Sequence, residues 1–273
     1  YAIEQNFDYV FLYNQDGFMG LDCLERCLYI FKSEVNIGIV QPLILLHPEH
    51  NLINTNGNKF HYLGFGYCGD YKKSYNAFLS EKIIKEVGYC SGAAMMIKTS
   101  LLKKLGLFDE DFYLYHEDLE ICLRFRLAGF KNMLAGSARF YHEYEFSRNK
   151  EKYYFMERNR LAILLMYYKW RTLILFLPML VAVEIGLLFY SIYAGWAKQE
   201  LKSIFYWISF KNWQKIFKKR KTIQNNRVIT DKELLKTTVT EIHFEDFDNL
   251  ILKYFLNPLI NFYFFVVYRL LFW

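Results

Sequence analysis

Apolar residues in the first half of the chain fall into short runs of strand length, separated by stretches where they recur every three or four positions. Tyr9–Tyr13 (YVFLY) is a continuous apolar run, as expected of a strand buried on both faces of a parallel sheet, and it ends in the polar turn Asn14, Gln15, Asp16, Gly17. Leu21, Leu24, Leu28 and Phe31 then recur at helical spacing, and residues 37–40 give a second strand that Pro42 closes. Residues 43–80, rich in Asn, Gly, His and Tyr, show no period and read as a long loop region facing substrate. Residues 90–97 (CSGAAMMI) form a further strand in which Gly92 permits close backbone approach, and Thr99 or Ser100 caps a short helix that Gly106 stops. Beyond an acidic, aromatic turn, Leu119, Cys122, Leu123, Leu127 and Phe130 mark a helix that starts at Glu117 and ends with Gly129 at C′. Glu120 and Arg124 are spaced to pair on its outer face. Residues 132–142 predict a last strand, ending at His142. The β-α-β rhythm predicts an α/β fold with a mostly parallel sheet and flanking helices, whose ligands bind beyond the carboxyl ends of the strands.

The last third changes character. Residues 153–170 predict a helix with Arg158 and Arg160 near its start, and residues 172–196 carry one charged side chain, Glu184. A helix over those 25 residues reaches ~37 Å, enough to span a bilayer core. Pro178 and Gly186 interrupt it, and basic residues flank both sides, which one orientation across a membrane cannot satisfy. A monotopic or re-entrant element on the cytosolic face fits better, with the cluster Lys211, Lys215, Lys218, Lys219, Arg220 and Lys221 against anionic head groups; one or two true spans also fit. Residues 256–273 form a second aromatic, apolar segment that docks at the same interface. Two domains are therefore expected, a catalytic one over residues 1–165 and a membrane-associated helical one over 166–273.

Composition agrees with a soluble part joined to a membrane-associated part: 53% hydrophobic and 20% aromatic, yet 23% charged. Five cysteines without a CxxC pair read as reduced thiols, not as a disulfide or zinc framework. The basic cluster sets the net charge of +6, and its neighbours Trp213 and Phe217 suit a membrane interface better than nucleic acid. The chain opens at Tyr1 in sequence of interior character, so a fragment lacking a preceding nucleotide-binding part is expected.

Candidate chemistry gathers at strand and helix ends. Asp16, the pair Glu117 and Asp118, and His142 could share one rim. Asp16 and His142 would offer oxygen and nitrogen ligands to Mn²⁺ or Mg²⁺, and Asp118 could deprotonate a hydroxyl. The helix dipole favours charge on the acid pair by roughly 0.3 to 1 kcal/mol, so both should stay ionised. Each has a plain structural alternative: a turn former at Asp16, a helix cap at Glu117 and Asp118, a hydrogen-bonded core histidine at His142. The HPEH segment holding His47 and His50 is interrupted by Pro48, which disfavours a helical metal motif.

The run YVFLYNQD, the segment YCSGAAMMIKTSLLKKLGLFDEDFYLYHEDLEICLRFRLAGF, then ARFYHEYEFS and YYFMERNRLAILL together resemble family 2 glycosyltransferases of the GT-A fold, in particular the bacterial rhamnosyltransferase-like branch that builds surface polysaccharides. The resemblance covers roughly residues 7 to 180. It implies that Asp16 stands in the metal-binding motif, with Asn14 a nucleotide-sugar contact and Gly92 beside the donor. It makes Asp118 the base, supported by Glu117, and His142 a further metal ligand. Arg158 and Arg160 would touch phosphate or a lipid-linked or oligosaccharide acceptor. The implied reaction is an inverting, metal-dependent transfer from a nucleotide-sugar donor. A non-catalytic membrane-surface scaffold built on the same fold is the alternative from another class.

Overall fold

The strand expected at residues 37–40 runs on to Leu46 in the computed structural model, which describes residues 1–75, 83–144, 149–242, 250 and 252–273. All ten positions of this strand, β3 (Ile37–Leu46), are buried. Pro42 does not close it, because it lies where the register to the neighbouring strand shifts, and there a missing N–H is tolerated. Around β3 is a seven-stranded sheet of β1 (Tyr9–Tyr13), β2 (Gly17–Met19), β3, β4 (Ile53–Thr55), β5 (Ile84–Glu86), β6 (Ala94–Lys98) and β7 (Lys131–His142). The order is β1-β6-β3-β7-β2, with β4 on β3 and β5 on β7.

The sheet is mixed, not mostly parallel. Only β3 and β7 run parallel among the described strands; β1–β6, β3–β6, β2–β7, β3–β4 and β5–β7 are antiparallel. Successive apolar runs in the sequence are not neighbours, since β6 lies between β1 and β3. This leaves β1 at an end of the strand order, only half-buried, where the sequence suggested a strand covered on both faces. Residues 43–75 are well ordered into strands and buried polar turns, because Thr55, Asn56, Asn58 and Asp70 satisfy one another in place of an apolar period. Residues 76–80 of that expected loop, and Glu145 to Ser147 of the motif ARFYHEYEFS, lie outside the described residues.

The chain divides into two compact units, Tyr1–Phe60 with Gly66–Glu110 and Glu117–Phe146, and His61–Phe65 with Asp111–His116 and Ser147–Trp273. In the first, helix α1 (Cys23–Ser33) packs Cys23, Cys27, Ile30 and Phe31 against Ile37, Val40, Met96 and Met133. Helix α2 (Thr99–Leu105) stops at Gly106 with φ 100°. Helix α3 (Glu117–Leu127) ends with Gly129 at φ 88° and Phe130 N–H donating to Phe125 O, the expected C-terminal motif. The pair Glu120–Arg124 forms at 2.6 Å, buried instead of on the outer face, and Arg124 also donates to Leu105 O and Leu107 O. All five cysteines are free thiols.

The second unit is helical: α4 (Glu151–Tyr167), α5 (Trp170–Tyr193), α6 (Ala197–Tyr206), α7 (Phe210–Asn225) and α8 (Asn257–Leu270). Helix α5 continues through Pro178, which lies on an exposed face where the lost backbone hydrogen bond can be met by solvent. Among the described residues it is the one helix long and apolar enough to cross a membrane, with a mean hydropathy of 2.4. Ile174, Leu177, Val181, Ile185, Phe189 and Ile192 recur every three or four residues as one exposed stripe along it.

A charge cluster flanks that stripe. Arg160 was expected to meet phosphate or acceptor, but it is fully buried: it pairs with Glu157 at 2.7 Å and Glu184 at 2.5 Å and donates to Leu63 O at 3.2 Å. A buried guanidinium held by two carboxylates cannot also serve a ligand. Arg160→Leu should cost about 3–5 kcal/mol in urea unfolding, because it strands two carboxylates. Burial holds Glu157 above its ordinary range even with Arg160 pulling the other way. Without the arginine its folded-state pKa rises further above the unfolded one, so the loss should grow as pH rises from 5 to 8; a pH-independent loss would contradict this account.

Candidate active site

The turn after β1 and the end of β7 meet. Asn14 N–H donates to Ala93 O at 3.0 Å, Gly17 N–H closes the turn onto Asn14 O, and Glu143 N–H reaches Asp16 O at 3.0 Å. Because β2 pairs with β7 in the register Gly17 to His142, Asp16 is delivered beside the histidine. Asp16 Oδ1 lies 3.2 Å from His142 Nε2, and Asn14 Nδ2 lies 3.3 Å from the same nitrogen. The other ring nitrogen, Nδ1, lies 3.0 Å from Asn54 Oδ1 on β4.

Two tautomers fit these contacts: with the proton on Nδ1, Asn54 accepts it and the Nε2 lone pair accepts from Asn14; with the proton on Nε2, it faces Asp16. Burial lowers the imidazole pKa, with the Asp16 charge and hydrogen bond pulling the other way. In the first tautomer a nitrogen lone pair and a carboxylate oxygen face each other at 3.2 Å, an arrangement that a cation beside them relieves. The donor set suits Mg²⁺ or Mn²⁺, which commonly take one or two protein ligands and complete their shell with water and substrate phosphates. Among the described residues no three His, Cys, Asp or Glu side chains cluster as a full metal centre. The Nδ1 hydrogen bond to Asn54 is the kind of outer contact that orients a ligating histidine.

The acid pair heads α3 and is half-buried. Asp118 Oδ2 accepts from Gly92 N at 3.0 Å and Oδ1 from Leu119 N at 2.7 Å, whereas Glu117 Oε2 is buried with no hydrogen-bond partner among the described residues. Burial pushes Asp118 up to about 6, although both backbone amides pull it down. Glu117 rises to about 7, through burial first and then the Asp118 charge. The dipole contribution is worth less than about one pH unit, so burial prevails over the expected full ionisation: Glu117 sits near its midpoint at neutral pH. A Cβ built on Gly92 would sit 3.5 Å from Asp118 Cβ and 3.9 Å from Glu117 Oε1, in ordinary contact. The protein's own packing therefore leaves room at residue 92, beside both carboxylates.

In the second unit Arg158 is turned toward protein as well, which departs from the expected ligand contact. Its Nη2 donates to Asp111 O at 2.6 Å and Asn159 Oδ1 at 2.8 Å, and its guanidinium lies over Tyr154, Phe155 and Tyr206. Asn159, not singled out in the sequence, directs Nδ2 at Phe112 O, Leu114 O and Tyr115 O, at 2.9, 3.0 and 2.7 Å. That loop holds Tyr113, Tyr115 and His116 at positive φ before the chain enters Glu117. His116 bonds Gly64 O through Nε2, and burial lowers it to about 4. The HPEH histidines form a pair, His47 Nδ1 to His50 Nε2 at 2.9 Å, packed at a tilt between Phe18 and Tyr141. Neither Asn54 nor Asn159 carried a sequence signal, since both act through contacts distant along the chain.

The family model described as glycosyl transferase family group 2 matches residues 9–267. The chain is 29% identical over 104 residues to the low-salt glycan biosynthesis hexosyltransferase Agl10 of Haloferax volcanii, a match covering 37% of this chain and 31% of that protein. Among solved structures, the crystal structure of GalNAc-T7 with UDP, GalNAc and Mn²⁺ is similar with a TM-score of 0.45 at 11% identity, covering 62% of this chain and 34% of the other. The chain thus spans about a third of the length of each of these two relatives.

The choice between the two tautomers is open to direct measurement. Long-range ¹⁵N correlation spectra at pH 7 should show His142 protonated at Nδ1 and bare at Nε2, and Asn54→Leu should mix the two tautomers. A protonated Nε2 in the unsubstituted protein would remove the ligand geometry described above.

Proposed function

The chain belongs to glycosyl transferase family group 2, and from that premise we propose that it moves a sugar from a nucleotide-sugar donor to a hydroxyl of a saccharide acceptor with inversion at the anomeric carbon. One observation carries the reading: successive residues of a single loop bond both halves of the chemistry, Gly92 N–H to Asp118 and Ala93 O to the Asn14 amide of the turn that presents Asp16. In the proposed reaction Asp118 takes the proton of the acceptor hydroxyl as that oxygen forms a bond to the anomeric carbon. The bond from that carbon to the diphosphate breaks on the opposite face. Inversion requires one base and no covalent intermediate.

Asp118 suits the role because its carboxylate is anchored by two amides and its pKa is raised toward the operating pH, which strengthens it as a base while leaving it mostly ionised at pH 7. Glu117, with an unpartnered oxygen beside it, is assigned to orient the acceptor hydroxyl. Gly92 leaves the space that a donor would fill, and Asn14 contacts the donor. Asp16 and His142 would hold a Mn²⁺ or Mg²⁺ ion, which when bound supplies charge neutralisation for the departing diphosphate. The sequence motifs favour the rhamnosyltransferase-like branch.

A lipid-linked acceptor and a position on the cytosolic membrane face are supported by the exposed stripe on α5 and by Leu259, Phe262, Val266 and Leu270 exposed on α8. Lys211, Lys218 and Lys221 of α7 stay exposed, while Lys215 and Lys219 pair with Asp111 and Arg220 turns inward to Leu165 O and Tyr168 O. Three exposed lysines contribute about 3 kcal/mol of attraction to an anionic surface at roughly 1 kcal/mol each. The ion pair from Glu184 on α5 to Arg160 on α4 favours an in-plane helix, since it puts charge at the middle of α5, on the flank of its apolar stripe, where a span would bury that charge in the bilayer.

Two outcomes are expected. The value of kcat/KM should rise as pH rises through about 6 to 7, since the base must lose its proton, and Asp118→Asn should lower kcat by roughly 10²- to 10⁴-fold. A flat profile from pH 5 to 8, or full activity in the Asn variant, would exclude Asp118 as the base. Sedimentation with phosphatidylserine vesicles should fall on the double substitution Ile185→Asp with Phe189→Asp; unchanged binding would place the membrane contact elsewhere.

A further inference from the structure

We infer that Gln41 is a positioning residue for the acid pair, its buried carboxamide fixing the Ser91–Ala93 loop and thereby the Gly92 amide that Asp118 accepts. The inference rests on the reading of Asp118 as the base. Gln41 lies in the middle of β3 and is fully buried, the only side chain on that strand with hydrogen-bonding groups. Its Oε1 accepts from Ser91 N at 2.7 Å, while its Nε2 is buried with no hydrogen-bond partner among the described residues. A leucine or methionine of similar volume would avoid that desolvation, so the carboxamide is poorly explained by packing alone.

What Gln41 does that no apolar side chain can do is take the first amide of a three-residue loop whose Gly92 N–H and Ala93 O bond residues of the candidate site. Ser91 N–H goes to Gln41; Ser91 Oγ accepts from Ala93 N at 3.3 Å; Gly92 N–H goes to Asp118; Ala93 O accepts from Asn14 N. Gln41 is therefore the floor of the loop, and the β3 strand is what holds that floor in place. The Gly92 amide is one of the contacts that keep the Asp118 carboxylate ionised against burial. If the floor is removed, that amide loosens and Asp118 should hold its proton to higher pH.

The test is Gln41→Met, with Gln41→Glu as the variant that keeps an oxygen acceptor for Ser91 N. Carbon-13 NMR titration of the Asp118 carboxyl should move upward by about half to one pH unit in Gln41→Met and stay near its original position in Gln41→Glu. In transfer assays the acidic limb of the rate profile should shift in the same direction, with kcat falling about tenfold more than any change in acceptor KM. A folded Gln41→Met protein with an unmoved Asp118 titration overturns the inference. Should Gln41→Met fail to fold, Ser91→Ala removes the hydroxyl that accepts from Ala93 N and loosens the same loop, and an unmoved titration there overturns it equally. The carboxyl titration reads the coupling whether or not sugar is transferred. A normal shift in a protein without transferase activity would therefore reject the proposed function and leave the positioning role standing.

Discussion

The parallel pairing of β3 with β7 is the constraint on which the first unit depends. It runs from Ile37 opposite Lys131 to Leu46 opposite His142, so the carboxyl ends of both strands arrive together. The same pairing fixes Gln41 in the middle of the sheet and His142 at its carboxyl end. Every other strand of this sheet is antiparallel to the neighbour it pairs with, and β1 reaches the pair through β6. A slip of one residue between β2 and β7 would reverse the faces of His142 and Tyr141 and take the histidine away from Asp16. The register shift at Pro42 is absorbed within the pair because a proline has no N–H to lose from the ladder.

The second determinant is desolvation, which competes with every local electrostatic preference around the acid pair. Position at a helix N-terminus favours ionised carboxylates, and the two backbone amides on Asp118 act in the same direction. Burial outweighs both and separates the two groups, leaving Asp118 the more readily ionised and Glu117 the more readily protonated. Two neighbouring carboxyls in different protonation states can divide the work of base and hydrogen-bond donor, which identical environments would not allow. His116, just before them, is kept neutral by burial, so it adds no positive charge to offset this.

Much of the candidate site was legible in the sequence because its signals are local. The polar turn after YVFLY, the acid pair before a helical period, and a histidine ending an apolar run each declare themselves within a few residues, and the first and last of them lie side by side in the fold. Strand order was not legible: nothing in residues 94–98 says that they insert between two earlier runs. Arg158 and Arg160 misled for the opposite reason. A charged pair near a helix start looks exposed until the partners Asp111 and Glu184, distant in sequence, turn it inward. Residues 43–75 lacked a period because their order comes from hydrogen bonds among side chains such as Thr55 and Asn58, and periodicity reports only apolar burial.

A common device runs through the parts the sequence concealed. Asn54 orients His142, Gln41 holds Ser91, Asn132 bonds Cys122 O, and Asn159 gathers three carbonyls of the loop before α3. Each is a buried carboxamide fastening backbone or a ring. A neutral amide suits that task because it offers both a donor and an acceptor without the Born penalty of a charge, and its protonation state does not change with pH. The contrast is Arg160, which needs two carboxylates to be buried at all. At the loop held by Asn159 the fastening has a definite opponent: three non-glycine residues at positive φ, each costing roughly 1–3 kcal/mol. No single hydrogen bond, worth about 0.5–1.5 kcal/mol net, would hold such a loop, but three carbonyls converging on one amide, with Arg158 on Asp111 O and His116 on Gly64 O, are of the required size. The strain is thus maintained by a set of contacts instead of by any one of them, and it lies in the six residues that lead directly into the acid pair.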